Sequence, residues 1–223
     1  MIRLIEIFRS IQGESSYSGL PFAFVRLAVC NLRCVYCDTT YSFGQGEARS
    51  IAKIVDTVQE MGVRHVCVTG GEPMLQGEKT IALMREFLSR QYTVLLETNG
   101  SIPLDDVPDE VVKIMDVKTP AGLGWAADDP RFKKTHFHPD NLALLTDRDE
   151  VKFVVSNRQD YEWARQFIAT HELSTRCGQI LMSPSWDVLD AAELVAWMLE
   201  DQLPARLNLQ IHKHIWDPST PGV

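Results

Sequence analysis

Three cysteines stand close together near the start of the chain, and they are the side chains best suited to chemistry. Cys30, Cys34 and Cys37 lie in the run Cys-Asn-Leu-Arg-Cys-Val-Tyr-Cys. Thiolates grouped in this way can bind three of the irons of a [4Fe–4S] cluster. The next cysteine, Cys67, lies far along the chain. We therefore predict a cluster whose fourth iron has no protein ligand and is free to bind another molecule.

Other uses of grouped cysteines fit this spacing less well. Zinc sites usually take four Cys or His ligands, often as two separated pairs, and no such pair follows at the usual interval. A ferredoxin cluster takes a fourth cysteine. The alternatives are three reduced structural cysteines or an incomplete zinc site. We expect Cys67, in an apolar strand pattern, to be a core residue, and Cys177 to stand outside the site.

The C-x3-C-x2-C pattern, with an aromatic residue before the last cysteine, resembles the radical S-adenosylmethionine (SAM) superfamily. The Gly-Gly-Glu-Pro run at residues 70–73 is similar to that superfamily's motif for the methionine amino group. The resemblance implies that the open iron binds the amino and carboxylate groups of SAM. Electron transfer from the cluster would then cleave SAM to a 5′-deoxyadenosyl radical.

Length, charge and hydropathy limit the class of protein. The 223 residues are expected to form one domain, residues 1–223. The formal net charge of −8 argues against a broad nucleic-acid surface. No apolar run approaches the roughly 20 residues that span a bilayer, and the N-terminus lacks a signal-peptide pattern. We expect a cytoplasmic protein without membrane or nucleic-acid partners, whose five cysteines are ligands or buried thiols rather than disulfides.

Strand and helix patterns alternate along the chain, which predicts parallel βαβ units. Strands are predicted at residues 2–8, 22–29, 63–69, 92–96, 111–117, 152–155, 179–182 and 207–211. Helices are predicted at 50–61, 78–90, 158–171 and 187–200, with a short one near 140–146. About six long strands are too few for a closed eight-stranded barrel. The predicted fold is therefore α/β, a partial (β/α) barrel.

Polar groups follow the predicted strands one after another. In parallel sheets and barrels, the ligand site lies at the carboxyl ends of the strands. Five such groups at one edge predict one pocket, formed by the cysteine loop at 30–41 and by residues 70–73, 97–99, 116–118 and 183–184.

Two polar residues lie on either side of the cysteine loop. Arg26 lies inside an apolar strand pattern, and a buried arginine needs an anionic or acceptor partner. That partner is either a substrate carboxylate or an internal one, Glu14 or Asp38, and the sequence favours neither. Thr39 is an oxygen donor that could suit Mg²⁺, although this cation needs further oxygens and keeps several waters.

Two further candidates lie at later strand ends. Glu97 could accept hydrogen bonds from the amine edge of a heterocycle, or belong to an ordinary turn with Asn99-Gly100. Strand alternation would place Gln210, His212 and His214 on one face. His212 could titrate near neutrality or bind a carboxylate, or be part of an exposed polar edge.

Taken together, the motifs resemble the 7-carboxy-7-deazaguanine synthase family over nearly the whole chain. They are residues 6–8, 11–14, 24–27, 69–73 and 97–100, the Cys-Asp-Thr run at 37–39, and the Gln-x-His-Lys run at 210–213. The resemblance implies radical ring contraction of 6-carboxy-5,6,7,8-tetrahydropterin to 7-carboxy-7-deazaguanine and ammonia, in queuosine and related 7-deazapurine biosynthesis. It also implies Mg²⁺, a homodimer and an external electron donor such as flavodoxin.

Matching positions carry implied roles. Cys30, Cys34 and Cys37 would bind the cluster and Thr39 would bind Mg²⁺. Glu97 and His212 would line the pterin pocket as catalytic residues. The other substrate contacts would be Ile11, Gln12, Gly13, Glu14, Arg26, Thr69 and, through its carboxylate, Val223. The SAM contacts would be Tyr36, Cys37, Asp38, Gly71, Asp116, Val117, Lys118, Ser183, Pro184, Ser185 and Trp186. The tail at 212–223 would close the substrate site.

The sequence departs from the family pattern at one turn, because Ser15 stands where glycine usually follows Gln-Gly-Glu. The nearest rival interpretation is a radical SAM activase that installs a glycyl radical on a partner protein. Such an enzyme needs an open groove, whereas Arg26 and the terminal Gln-x-His-Lys favour a small anion. A non-catalytic iron–sulfur or zinc protein would leave the polar groups at the strand ends unexplained.

Overall fold

The computed structural model describes residues 1–218, 220 and 222–223, apart from the side chain of Thr135. The strands are β1 (Ile2–Ile11), β2 (Pro21–Leu27), β3 (Glu47–Arg49), β4 (His65–Gly70), β5 (Thr93–Thr98), β6 (Val112–Asp116), β7 (Glu150–Val155), β8 (Gln179–Pro184) and β9 (Arg206–Leu207). The helices are α1 (Ile51–Glu60), α2 (Glu78–Ser89), α3 (Pro130–Thr135), α4 (Arg158–Thr170), α5 (Ala191–Glu200) and α6 (His212–Ile215). Within this part of the chain, no helix is long and apolar enough to cross a membrane.

All nine strands belong to one sheet in the order β3-β1-β2-β4-β5-β6-β7-β8-β9. From β2 to β9 every neighbouring pair is parallel. The hairpin of β1 and β2 is antiparallel, and so is the pairing of β1 with β3. The predicted α/β architecture with a mostly parallel, partial-barrel sheet is confirmed. Its linear order leaves β3 and β9 as edges.

The two faces of the sheet differ in what covers them. Alternate strand residues pack against α1 and α2 on one half of the outer face, and against α4 and α5 on the other half. The inner face carries a smaller apolar cluster of Phe22, Phe24, Cys67, Leu95, Val112 and Ile114. These residues lie before the polar ends of the same strands, so the inner face changes from apolar to polar along the strand direction.

Helices α1, α2 and α4 begin within one residue of their predicted starts, whereas α5 begins at Ala191, four residues after the predicted 187. Side chains cap three of these first turns. The Ser50 hydroxyl accepts a hydrogen bond from the Lys53 amide at the start of α1, and Asn157 and Asp190 do the same for α4 and α5. The predicted short helix near 140–146 is a 3₁₀ segment, Pro139–Leu144. Helix α3 is an addition that the irregular 118–148 stretch did not reveal.

The predicted last strand at 207–211 is wrong beyond its first residue. Only Arg206 and Leu207 pair with β8. The Asn208 amide still donates to the Met182 carbonyl of β8, but the Asn208 side chain turns to other segments, where it donates to the Ser183 hydroxyl and accepts from the Ser15 amide. The chain then turns inward into α6, so strand alternation does not place Gln210, His212 and His214 on one face.

The segment that joins β1 to β2 folds back on itself, with the Gln12 amide donating to the Leu20 carbonyl and the Gly19 amide donating to the Gln12 carbonyl. Ser15 has φ of +68° in this segment, a conformation that glycine adopts at little cost. Its hydroxyl accepts a hydrogen bond from the Tyr17 amide. The departure from the family's glycine therefore places serine in a left-handed turn.

The turn after β4 lies directly against the start of the cysteine loop. A Cβ atom at Gly71 would lie 2.2 Å from the Val29 carbonyl oxygen and 2.9 Å from Cys30 Cβ. Val29 itself has φ of +76°, and it is held by hydrogen bonds from its amide to the Ser42 carbonyl and from the Glu72 amide to its own carbonyl. The two backbones approach this closely because residue 71 has no side chain.

We predict that Gly71→Ala lowers the free energy of unfolding by about 2 kcal/mol, because the new methyl group displaces the Val29 backbone. Urea unfolding of the cluster-free protein measures the loss. Gly44→Ala is the matched control, since a Cβ there meets only the Tyr41 carbonyl at an ordinary 3.6 Å. Equal stability of the two variants would contradict the close approach.

Candidate active site

Five polar side chains extend from the inner face near the carboxyl ends of five neighbouring strands. In strand order they are Arg26, Thr69, Glu97, Asp116 and Lys152. Inward placement follows from the two-residue period of a strand, since their neighbours in sequence face the helices. This polar rim gathers residues that are distant in sequence at one edge of the sheet.

Glu97 connects three of the predicted substrate residues. One carboxylate oxygen accepts from the Gln12 side-chain amide at 3.1 Å, and the other accepts from the Thr69 hydroxyl at 2.9 Å. The thiol of Cys67 lies next to them. Burial and the nearby Glu97 carboxylate raise its pKa well above the usual range. The expectation that Cys67 is a core residue is confirmed.

A second carboxylate, that of Glu14, lies in a chain of alternating charges. One of its oxygens lies 2.6 Å from Lys152 Nζ, and the other accepts from the Gln210 side-chain amide at 2.7 Å. Lys152 Nζ also lies 3.0 Å from Asp116 Oδ2, which Lys118 approaches at 2.9 Å. Burial alone would raise the pKa of Glu14, but the attraction of Lys152 lowers it below its ordinary value.

Three side chains on the predicted SAM side keep polar atoms without a hydrogen-bond partner. Among the residues described, Asp116 Oδ1, the Tyr36 hydroxyl and Ser185 Oγ are buried and unpaired. Buried polar atoms are nearly always hydrogen-bonded, and exceptions call for an explanation such as a ligand. The three atoms fit a site that a polar molecule completes.

The Arg26 guanidinium is paired within the protein, and its partner is neither Glu14 nor Asp38. Its Nε lies 2.7 Å from Glu6 Oε1, which also accepts from the Tyr41 hydroxyl at 2.8 Å. The two internal partners expected from sequence were therefore wrong, because the antiparallel β1–β2 register sets Glu6 directly opposite Arg26. The rings of Phe8 and Tyr41 lie 5.6 and 5.8 Å from the guanidinium carbon.

The three loop cysteines are unbridged and partly buried. The Cys37 amide donates to the Cys34 carbonyl at 3.2 Å. Burial raises the pKa of each thiol, to about 11 for Cys34. The three thiols are carried by one short loop of the chain, as three ligands of a cluster would be.

No group of three or more His, Cys, Asp or Glu side chains among the residues described is arranged to hold a single metal ion. Cysteine ligands of a [4Fe–4S] cluster each bind a different iron. The donor set therefore fits a cluster through its thiol chemistry and its short spacing in sequence rather than through a ready-made single-ion geometry.

Asp38 ties the cysteine loop to the end of the chain. It forms a 2.7 Å ion pair with Lys213 of α6 and accepts from the Thr39 hydroxyl at 2.8 Å. Burial would raise the pKa of Asp38, but Lys213 and the hydrogen bonds lower it to about 2. Thr39 and Asp38 thus present oxygen atoms side by side next to Cys37.

The α6 segment also closes on Gly13. A Cβ atom there would lie 1.9 Å from His212 Nδ1, and the Gly13 carbonyl accepts from the Ile211 amide at 2.9 Å. Burial lowers the pKa of His212. His212 therefore lies beside Gly13, in the segment that the sequence predicts to bind substrate. Further on, Gly222 lies beside Phe8, which borders Arg26. Val223 is the following residue.

The remaining predicted residues differ in how they reach the rim. Ile11 ends β1 opposite Pro21, and the Val117 side chain packs in the outer core, so Val117 can face a ligand only through its backbone. The Ser183 hydroxyl accepts from Asn208. After Pro184 ends β8, the Trp186 ring lies 5.0 Å from the His214 ring, against α6.

Sequence reasoning missed three residues of this region. Lys152, Lys213 and Glu6 each pair with a predicted site residue. A signal existed for Lys152, because it is a charge inside an apolar strand pattern, as Arg26 is. The pairing of Lys213 depends on how the tail folds, which no local pattern indicates.

A cavity of about 480 Å³ opens elsewhere, lined in part by Tyr17, Arg148 and Glu150. Its lining includes Thr93, Val112 and Gln179, at the amino ends of β5, β6 and β8. The polar rim lies at the carboxyl ends. The cavity is therefore separate from the candidate active site.

The chain resembles known proteins in both sequence and fold. The radical SAM superfamily profile matches residues 25–135. The chain is 43% identical to the 7-carboxy-7-deazaguanine synthase of Koribacter versatilis, over 100% of both chains. It is 41% identical to that of Chlorobaculum tepidum, over 100% of this chain and 97% of the relative. The crystal structure of QueE from Escherichia coli shares the fold, with a TM-score of 0.70, 21% identity and 93% coverage of each chain. The chain belongs to the 7-carboxy-7-deazaguanine synthase family of the radical SAM superfamily.

Proposed function

We propose that the protein converts 6-carboxy-5,6,7,8-tetrahydropterin to 7-carboxy-7-deazaguanine and ammonia by radical ring contraction, in queuosine and related 7-deazapurine biosynthesis. The observation that best supports this is the juxtaposition of the three-cysteine loop with a rim bearing carboxylates and one arginine. Family membership supports it independently. One edge of the sheet would thus hold both the radical source and an anionic heterocycle.

The cluster would be held by Cys30, Cys34 and Cys37. With SAM bound there, the cluster would supply the one-electron chemistry that generates a 5′-deoxyadenosyl radical, the species that the proposed reaction needs to remove hydrogen from C6 of the pterin. The chain's own residues would position SAM through the close backbone approach at Gly71 and through Asp116 Oδ1, which is free to accept a hydrogen bond. The other SAM contacts would come from residues 36–38, 117–118 and 183–186.

The pterin would lie against the side of the rim that carries two carboxylates. Glu97 and Glu14 can accept hydrogen bonds from the amine and ring N–H groups of a pterin, with Gln12 and Thr69 fixing Glu97. Arg26 would bind the substrate carboxylate with a charge-assisted hydrogen bond. His212, kept neutral by burial, would cover the ring from α6.

Thr39 would contribute a protein oxygen to Mg²⁺, with the substrate carboxylate and waters as further ligands. The adjacent Asp38 carboxylate accepts a hydrogen bond from the Thr39 hydroxyl. This bond uses the hydroxyl proton, so the lone pairs of the oxygen stay available to a cation. Val223 would bring the terminal carboxylate toward the same region, next to Phe8 and Arg26.

We further propose one domain over residues 1–223, a homodimer and a cytoplasmic location, where a reducing environment suits free cysteines. The cluster would accept its electron from an external donor such as flavodoxin. None of these properties is needed for the assignment of residues to the site.

The first prediction concerns the product. Anaerobically reconstituted protein, given SAM, a reductant, Mg²⁺ and carboxytetrahydropterin, should form a compound with deazapurine absorbance. Cys34→Ser should abolish it, whereas Cys177→Ser should not, since the Cys177 thiol donates to the Leu173 and Gln179 carbonyls, away from the rim. Cleavage of SAM without this product would favour the activase interpretation. Bound zinc with no SAM cleavage would exclude both enzymes.

The second prediction concerns Arg26. Arg26→Ala should weaken pterin binding roughly 10- to 100-fold, the worth of a charged hydrogen bond, and change SAM binding by less than about two-fold. Isothermal titration measures both. Glu6→Gln is the matched control, because it removes the internal ion pair but keeps the guanidinium. If both variants lose pterin affinity equally, the loss comes from the broken Arg26–Glu6 ion pair, and Arg26 does not bind the substrate.

The third prediction concerns Thr39. Thr39→Ala should raise the Mg²⁺ concentration for half-maximal turnover at least about ten-fold, since metal sites depend strongly on each oxygen and its support. Thr39→Ser keeps the hydroxyl and should behave like the unaltered protein. An unchanged Mg²⁺ dependence in the alanine variant would remove Thr39 from the metal site.

A further inference from the structure

Lys152 has no role in the site as inferred from sequence, yet its ammonium lies between two carboxylates at the β7 end of the rim. It projects from β7 between the segment after β1 and the end of β6. Its ammonium lies 2.6 Å from Glu14 Oε2 and 3.0 Å from Asp116 Oδ2, and 12% of its side chain is exposed. A single cation thus contacts one carboxylate on the proposed pterin side and one on the proposed SAM side.

Lys152 is the charged partner of Glu14 and one of two charged partners of Asp116. Without Lys152, Glu14 would keep the neutral amide of Gln210, whereas Asp116 would keep its ion pair with Lys118. Buried carboxylates need charged partners to stay ionised and in place. The position of Glu14 therefore depends on the Lys152 ammonium, which shares Asp116 with Lys118.

Charged groups on several segments act on the Lys152 ammonium or on its partner Glu14. The Glu97 carboxylate acts on it across the pocket, and Lys118 repels it from the end of β6. Asp38 and His212 act on Glu14 from the cysteine loop and from α6. A change in the charge of Glu14 will shift Lys152 toward Asp116, whose Oδ1 is the unpaired acceptor.

We propose that Lys152 is a positioning residue that couples the pterin-side Glu14 to the SAM-side Asp116, so that each half of the pocket responds to the other. The assignment of the two sides rests on the proposed function. The existence of the coupling does not, because it can be measured with SAM alone.

A second buried lysine shows what a purely structural pair looks like in this fold. Lys113 lies 3.2 Å from Asp149, and both side chains are almost fully buried. Asp149 also accepts from the Thr146 amide and hydroxyl, which fixes the loop before β7. The Lys113 side chain faces away from the rim, so Lys113→Met controls for the general cost of removing a buried cation.

The test is a double-mutant cycle on Glu14 and Lys152, read as the SAM dissociation constant of the cluster-loaded protein without pterin. Glu14→Gln alone should weaken SAM binding about five-fold, because an uncompensated ammonium then lies nearer the positively charged sulfonium. In the Lys152→Met background the same Glu14→Gln change should alter SAM binding by less than about two-fold. Lys113→Met should leave the effect of Glu14→Gln intact.

The reciprocal arm uses the cluster-free protein and the pterin. Asp116→Asn should weaken pterin binding in the Lys152 protein and have little effect in the Lys152→Met background. Urea unfolding checks that every variant is folded, and Lys152→Gln, a neutral donor, replaces the methionine variant if that one does not fold. Lys152→Arg, which keeps the charge, should restore the coupling.

The proposal is overturned if Glu14→Gln changes SAM affinity equally in both backgrounds, or has no effect on SAM in either. A protein that shows the coupling on SAM but makes no deazapurine would overturn the proposed reaction and leave the role of Lys152 standing. A protein that makes the product but shows no coupling would support the proposed reaction and overturn the role of Lys152.

Discussion

Charged side chains buried on the inner face of a sheet are stable only when each finds a partner, and this requirement organises the pocket. Glu14, Lys152, Asp116 and Lys118 form a chain of alternating charges beside the rim. Lys152 joins Glu14 to Asp116, two residues that are distant in sequence. The strands supply the positions, and the pairing of charges fixes which side chain faces which.

The same constraint explains why both ends of the chain converge on the carboxyl edge of the sheet. Gln210 and Lys213 reach Glu14 and Asp38 with side-chain donors, while Gly13 leaves room for His212. The tail thereby covers the site and joins the substrate segment to the cysteine loop. Without it, Glu14 and Asp38 would each lose a hydrogen-bond partner.

Much of the architecture followed from local patterns. The cysteine spacing, the alternation of strands with helices, and the polar residues after each strand placed the site at one sheet edge, because parallel strands bring their carboxyl ends together. These signals are local, because they depend only on the residue period of a strand or a helix.

What the sequence could not supply depends on contacts between distant segments. Arg26 pairs with Glu6 because of the β1–β2 register. The sequence of either strand alone does not indicate that register. The last strand stops after Leu207 because the Asn208 side chain binds Ser183 and Ser15. Lys152 is a lone charge in an apolar strand, and its importance appears only with its two partners in place.

The most direct test of this account is the structure of the reconstituted protein with SAM and carboxytetrahydropterin bound. The account predicts the pterin ring against Glu97 and Glu14, its carboxylate on Arg26, and SAM on the Asp116 side of Lys152. A pterin bound away from the rim, or an Arg26 that contacts only Glu6 with substrate present, would contradict it.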